Sequence, residues 1–373
     1  GKSRLPGIDV EGINPDGKHA VVVESNYPNS EIPVLMRLTT FVLKNGTTDP
    51  AGAPGTGPFK LDWYADGNAR LVRNENWYGG RPLLDAVEVQ MFERPEAMAN
   101  AALTGQIDLA SNVGTVAARA AEGSDEIKVV RRPNDTAMSV VMRTADGRYS
   151  DPRVRDAFRF AVDREGMVQQ VLGGYGQVGN DILGTADPLY ARDIPQRRQQ
   201  LAKAGKLLDE AGFDRSKPCQ LLTTEDVPGL AESATLFAKQ MEKVGVKVEV
   251  LKQDSSTFLG DSRGTAPLFT SYWGTNDSLI FNAGKLLLST ASMNEAAWHS
   301  PEFDAAYGSA ISAPDAAAHK QRLHDMQQIE HHRSGYLLWG MAEGIDLAKS
   351  TVQGLPKLPG YGRVQLERAW LSS

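Results

Sequence analysis

The chain is 373 residues long, enough for two or three domains, and with 41 % hydrophobic and 23 % charged residues it falls among folded globular proteins, not disordered ones. A net charge of −6, from 40 basic and 46 acidic residues with no run of Lys and Arg interleaved with aromatics, argues against nucleic acid as a partner. A single cysteine, Cys219, excludes an internal disulfide and a cysteine-rich metal site, and no window approaches the 18 apolar residues of a membrane-spanning helix.

In chain order, Pro15-Asp16-Gly17 is a turn ahead of the apolar run HAVVVES. The stretch GTGPFKL, residues 55–61, lacks the third glycine and following helix of a dinucleotide loop, and Lys60 is followed by Leu61 where a Walker loop has Ser or Thr. It reads as a turn into a strand. Asp66-Gly67-Asn68 between PFKLDWY and ARLVRN signals a hairpin, and LDAVEVQMF follows as a further strand. Residues 95–104 form a helix with Pro95 at its start and Gly105 past its end, leading into QIDLAS. This first part is a mixed α/β lobe.

From Pro133 the pattern changes. AMSVVMR reads as a strand, and Asp151 caps a helix opened by Pro152, with Val154, Phe158, Ala161 and Val162 on one face and Gly173-Gly174 as its stop. Residues 199–211 put Leu201, Ala204, Leu207, Leu208 and Ala211 on one stripe ahead of Gly212. Strand QLLTT, a helix carrying Leu230, Phe237, Met241 and Val244, and the alternating strand Val246, Val248, Val250 imply a parallel pair with a crossover. A helix over 315–331 carries Leu323, Met326, Gln327 and Glu330, and TVQGLPKLPGYGRVQL is too rich in Gly and Pro to be helical. The domain expectation is lobe I over 1–132, lobe II over 133–343, and a return to lobe I over 344–373.

Catalytic and metal chemistry find little support. His324 and His331 are two helical turns and about 10 Å apart, too far for one zinc ion, so with His332 and Glu330 they read as a solvated helix end. There is no G-x-S-x-G elbow, and Cys219 in KPCQLLT lacks a neighbouring base and reads as a buried inert thiol. No catalytic residue, metal or cofactor is assigned, although a glycosidase-like carboxylate pair stays open. The distinctive segment is PLFTSYWGTNDSLIFNAG, residues 267–284. Tyr272 and Trp273 end a strand, and Gly274 to Ser278 is a polar turn of the kind from which α/β folds present ligand contacts. The candidate ligand-binding residues are Tyr272, Trp273, Asn276 and Asp277, with Asn134 and Thr136 at the lobe boundary. The alternative makes Trp273 a core residue and Asn276-Asp277 a turn or cap.

The order of these motifs resembles the family 5 extracellular solute-binding proteins of ABC importers, the oligopeptide, dipeptide and nickel-binding type. GTGPFKL with RNENWYGGRPLLDAVEVQMF is similar to the family's G-T-G-P-[FY] and N-x-x-Y-W-G-G-x-P-x-L-D segments, ALTGQIDLA to its A-L-x-x-G-x-I-D, and DPRVRDAFRFAVDREGMVQQVLGGYG to its V-R-x-A-[FL]-x-x-A-I-D-R helix. DPLYARDIPQRRQQLAKAGKLLDEAGF resembles the segment that follows. The resemblance implies a two-lobed periplasmic-binding-protein-like α/β fold of type II, with mixed sheets flanked by helices and hinges near 133–136 and 340–346. Family members carry a substantial region ahead of the part matched, so the first lobe is expected to be incomplete here and the signal segment to lie outside this chain. The function implied is capture of a peptide or peptide-like solute in the inter-lobe cleft and delivery to permease subunits, by an extracytoplasmic protein that is periplasmic or lipid-anchored and monomeric at full length. In the family's peptide binders an Asp three residues after the Trp pairs with the peptide amine; here that position is Asn276, with Asp277 next to it. A metal chelate, an opine or an oligosaccharide therefore stands as an alternative ligand, and a hydrolase as the alternative of another class.

Overall fold

The structure is a computed structural model and describes residues 8–39, 44, 46–48, 53, 55–275, 278–356 and 365–372. A hairpin of β1 (Ile8–Asp16) and β2 (Ala20–Ser25) precedes helix α1 (Ile32–Thr39). GTGPFKL runs directly into β3 (Phe59–Ala65), which pairs antiparallel with β4 (Asn68–Arg73), itself paired with β5 (Ala86–Val89). Asp66 and Gly67, the two turn residues between β3 and β4, both have positive φ, as a two-residue hairpin loop requires. Next come α2 (Pro95–Leu103), β6 (Leu109–Ala110), α3 (Gly114–Ala121) and the long strand β7 (Ile127–Met142). They are followed by α4 (Pro152–Ala161), α5 (Arg164–Val171), β8 (Gly176–Val178) and α6 (Leu201–Glu210). Then β9 (Cys219–Thr224), α7 (Leu230–Glu242) and β10 (Val248–Gln253) lead to α8 (Ser255–Thr257), which continues into a π-helical turn, Phe258–Ser262. β11 (Leu268–Gly274), α9 (Leu279–Leu286), α10 (Pro301–Ile311), α11 (Ala316–Arg333), β12 (Tyr336–Lys349), β13 (Val352–Gln353) and β14 (Trp370–Leu371) complete the chain.

The chain divides into two units, one of residues 1–40 and 134–342, the other of 41–133 and 343–373. On sequence, 1–132 read as one lobe. The structure groups the first 40 residues with 134–342, because the α1 region is fastened to the α10–α11 pair: Ser30 N donates to Ile311 O at 2.9 Å, and Glu31 lies 3.3 Å from His319.

In the first unit the sheet order is β10-β9-β11-β7-β12, with β8 also paired to β12. β9 and β10 are the expected parallel pair, in register from Val248↔Cys219 to Gln253↔Thr224, with α7 as the crossover. The apolar faces of α4 and α7 close on this sheet. Phe158 is fully buried and meets Tyr149 and Phe213 edge-on, with ring centroids 5.6 and 5.8 Å apart. Asp151 accepts from Arg153 N at 2.8 Å, and Asp163 caps α5 through Gly166 N at 2.9 Å. Cys219 is buried, and burial pushes its thiol upward.

The second unit carries the sheet β3-β4-β5 and the pairing of β6 with the end of β12. Asp346 accepts from Arg132 Nε at 2.9 Å and from Ser111 Oγ and Asn112 N at 3.0 Å each. Gly344 lies directly against this guanidinium: a Cβ there would sit 2.5 Å from Arg132 Cζ, so glycine is required for close approach.

Candidate functional site

β9, β10 and β11 are parallel, so Thr224, Gln253 and Gly274 end on one edge of the first unit's sheet. β7 is antiparallel to β11 with Gly274↔Thr136 in register, which brings Asn134 and Thr136 to that same edge. From β9 the chain goes to β10 on one side and later to β11 on the other. The strand order therefore reverses between β9 and β11, and the carboxyl edge at such a switch point is where open α/β sheets bind ligands.

Trp273 stands at this edge, half-buried, beside Tyr272. Its Nε1 donates to Glu295 Oε1 at 2.8 Å, and Ser271 Oγ donates to the same oxygen at 2.6 Å. Arg263 Nε donates to Glu295 Oε2 at 2.7 Å and Arg263 Nη2 to Tyr272 O at 2.7 Å; its guanidinium lies 4.5 Å from the indole centroid and 5.1 Å from the Tyr272 ring. The Lys285 ammonium, on α9, lies 4.4 Å from the indole centroid and 5.7 Å from that of Phe281. Both distances are within cation–π range. The Tyr336 hydroxyl is buried nearby, and burial followed by the Glu295 charge holds its phenol well above the usual range. Arg263 is delivered by the π-helical turn, closing it with a bond from its N to Phe258 O at 2.8 Å. Such turns concentrate at functional sites.

Asn134 adopts φ +50°, a sparsely populated conformation for a residue other than glycine, and its Oδ1 is buried without a hydrogen-bond partner. Thr275 Oγ1 donates to Asn134 O, Thr275 N donates to Asp135 O at 2.9 Å, and Thr136 Oγ1 donates to Asp135 Oδ2 at 3.0 Å. Four sequence candidates, Tyr272, Trp273, Asn134 and Thr136, thus share one edge, while Asn276 and Asp277 lie outside the described residues. Sequence reasoning missed Arg263, Lys285 and Glu295. The only local signal was Lys285 four residues after Phe281 on one helix face; Glu295 reaches Trp273 from a loop 22 residues on, with no motif between them.

A second charged cluster is closed. Asp181, in a left-handed conformation at φ +56°, accepts from Arg164 Nη2 at both oxygens, 2.8 Å each, from Arg197 Nε at 2.8 Å and from Leu338 N at 2.9 Å. Burial pushes its carboxyl upward, but Arg164, Arg197 and Arg159 outweigh that and hold it below the usual range. Arg155 and Arg159 extend from α4 to the carbonyls of Arg333, Ser334 and Tyr336 and so close the C-terminal end of α11. This corrects the reading of residues 330–332 as a solvated helix end: His332 is exposed, but Glu330 and His331 are buried. Glu330 Oε1 accepts from Leu183 N at 2.8 Å and burial raises its carboxyl to about 8; burial, then Arg197, lowers His331 to about 3. Among the described residues no group of three or more His, Cys, Asp or Glu is placed to hold a metal ion, and no helix is long and apolar enough to cross a membrane.

Known proteins are similar to this chain in sequence and in fold. The oligopeptide-binding protein AppA of Bacillus subtilis is 30 % identical over 212 residues, 55 % of this chain and 38 % of that protein. Its structure in complex with a nonapeptide superposes with a TM-score of 0.80 at 20 % identity, covering 100 % of this chain and 79 % of that one. The peptide transport periplasmic protein SapA of Salmonella typhimurium is 24 % identical over 286 residues, 74 % of this chain and 52 % of that protein. NikZ from Campylobacter jejuni, in complex with Ni(L-His), superposes with a TM-score of 0.83 at 17 % identity, covering 96 % of this chain and 79 % of that one. The chain thus spans about half the length of these curated relatives or less. The structural matches establish the fold as the α/β periplasmic-binding-protein type II fold. Residues 2–295 match the family described as bacterial extracellular solute-binding proteins, family 5, middle part, and the chain belongs to that family.

Proposed function

We propose that this protein is the substrate-binding component of an ABC importer that takes up a peptide or peptide-like solute and passes it to membrane permease subunits outside the cytoplasm. The observation that carries this reading is the corner formed by Trp273, Tyr272 and Asn134 at the carboxyl edge of β9, β10 and β11, in a chain of a solute-binding family. Trp273 and Tyr272 offer apolar contact, and the buried Asn134 Oδ1 is an acceptor suited to an N–H of a bound solute. AppA, which shares the fold, binds a nonapeptide. β7 and β12 carry the chain from one unit to the other and are the proposed hinge strands. Residence outside the cytoplasm, free in a periplasm or held by a lipid, and a monomeric state belong to the same proposal.

The test is native mass spectrometry of protein purified without refolding, followed by calorimetric titration of the identified solute. A retained peptide, bound saturably and released unchanged, is the expected result; turnover to a product would support a hydrolase instead. The cations at Trp273 favour a second reading in which the solute is an acidic amino-acid derivative such as an opine or a metal chelate. The mass of the retained solute separates the two.

A further inference from the structure

Trp273 stands where packing alone does not fix a side chain. It is half-buried at the end of β11, and the next residue, Gly274, has no side chain to close that flank. Strand side chains have two common χ1 settings, so an indole at such an edge needs a further constraint to keep one of them. Its one polar atom supplies it: Nε1 donates to Glu295 Oε1 at 2.8 Å. Glu295 is itself held. It is buried, and it accepts from Arg263 Nε at 2.7 Å and from Ser271 Oγ at 2.6 Å. Ser271 and Trp273 are two apart on one strand and so share a face, which is why a single oxygen serves both. The loop that carries Glu295 is tied on either side of it. Asn294 Nδ2 donates to Trp298 O at 2.7 Å and Asn294 Oδ1 accepts from Trp298 N at 3.0 Å, while Thr144 N, past the end of β7, donates to Ala296 O at 2.8 Å.

We propose that Glu295 is a positioning residue for solute capture: it acts through Trp273, holding the indole in one orientation before the solute arrives, and does not touch the solute itself. This rests on the solute-binding reading above and deepens it. The carboxylate is buried and its three donors, Trp273, Ser271 and Arg263, belong to the chain. A ring already oriented binds without the ordering cost that a ring free to turn adds to association. The competing role for this carboxylate is to neutralise Arg263 and nothing more. The two roles differ in what an amide would preserve: a glutamine oxygen still accepts from Trp273 Nε1 but brings no charge to Arg263.

The test uses the full chain labelled with fluorotryptophan, the Trp273 signal being assigned by its loss in Trp273→Phe, and a random tripeptide pool as the probe. Circular dichroism verifies the folding of every variant. Without solute, the Trp273 fluorine signal is expected to be single and sharp in wild type, split or broadened in Glu295→Ala, and single again in Glu295→Gln. Calorimetric affinity for the pool should fall about tenfold in Glu295→Ala and by less than about threefold in Glu295→Gln, the order of one hydrogen bond's worth of ordering. Because the effect runs through the ring, Glu295→Ala should weaken binding no further in a Trp273→Ala background. A single sharp signal in Glu295→Ala, unchanged affinity in Trp273→Ala, or losses that add in the double variant overturns the proposal. So does a Glu295→Gln that behaves as Glu295→Ala, which assigns the carboxylate to Arg263 alone. If the pool does not bind to folded wild type, the peptide reading is what fails, and the fluorine signals still decide whether Glu295 orients the ring.

Discussion

Two carboxylates of the first unit, Asp181 and Glu295, are each held by arginine, yet the two clusters differ in how their remaining bonding capacity is used. Around Asp181 the donors are closed inward: Arg164 takes both carboxylate oxygens and also Arg159 O, and Arg197 also reaches His331 O at 2.9 Å. The Asp181 side chain has 0 % exposure, and its three arginines have 0 to 3 %. Around Glu295 the cations are turned toward half-buried rings at a sheet's carboxyl edge, and the neighbouring acceptor Asn134 Oδ1 is left without a partner. The first arrangement is completed inside the chain; the second stands at the edge where the solute is proposed to bind. A carboxylate among arginines is thus not informative by itself. What matters is where the cluster sits: the Asp181 cluster is closed inside the fold, whereas Glu295 and Arg263 lie at a half-buried sheet edge.

The contrast can be broken from either side. Asp181→Ala leaves three arginines buried without their shared counter-charge and is expected to cost about 3 to 5 kcal/mol, read as a lowered midpoint in urea unfolding. A loss below about 1 kcal/mol would mean that the cluster is not a structural lock.

Glu330 gives the next effect. Folded, it stays protonated up to about pH 8, whereas an unfolded glutamate ionises near 4.3. The unfolded chain binds fewer protons between those values, so the stabilisation is complete below about pH 4 and is lost as the pH rises toward 8. His331 has the opposite sign: held neutral down to about 3 in the folded state, it contributes stability that is lost as the pH falls below about 6.5. Glu330→Gln keeps an acceptor for Leu183 N and removes the alkaline penalty. It is expected to raise stability by about 3 kcal/mol at pH 8 relative to wild type and by little at pH 4, measured by urea unfolding at each pH.

On the Trp273 side, Glu295→Ala removes the acceptor of Arg263 Nε, Ser271 Oγ and Trp273 Nε1 together. A stability loss of about 2 kcal/mol is expected, with a changed tryptophan emission maximum because the indole N–H loses its partner. The smallest stability effect belongs to Lys285→Met, within about 1 kcal/mol, since a half-exposed cation–π contact is worth little in folding. A stability loss as large as that of Asp181→Ala would place Lys285 with the structural cluster instead.

Much of the fold was legible along the chain because its signals are local. The Asp66-Gly67 turn, the cap Asp151 and the strand-helix-strand unit from Cys219 to Gln253 depend on residues within a few positions of one another or on a period read along one element, whereas the break that lets Asp163 cap α5 was read as one continuous helix. Tyr272 and Trp273 were likewise visible as an aromatic strand end. Burial of Glu330 and His331 was not, because on α11 they share a helix with exposed charges, and only Leu183, Asn180 and Arg197, well over a hundred residues earlier, make an interior place for them. Nor could the chain order announce that Arg263, Lys285 and Glu295 meet at one indole. By itself the sequence determined most of the elements and their order, since backbone geometry and hydrophobic period act over a few residues, and the family through the resemblance of its motifs. Only the tertiary structure decided which charges are closed and which face a ring, because hydrogen bonds and desolvation depend on distances in space that separation along the chain does not set.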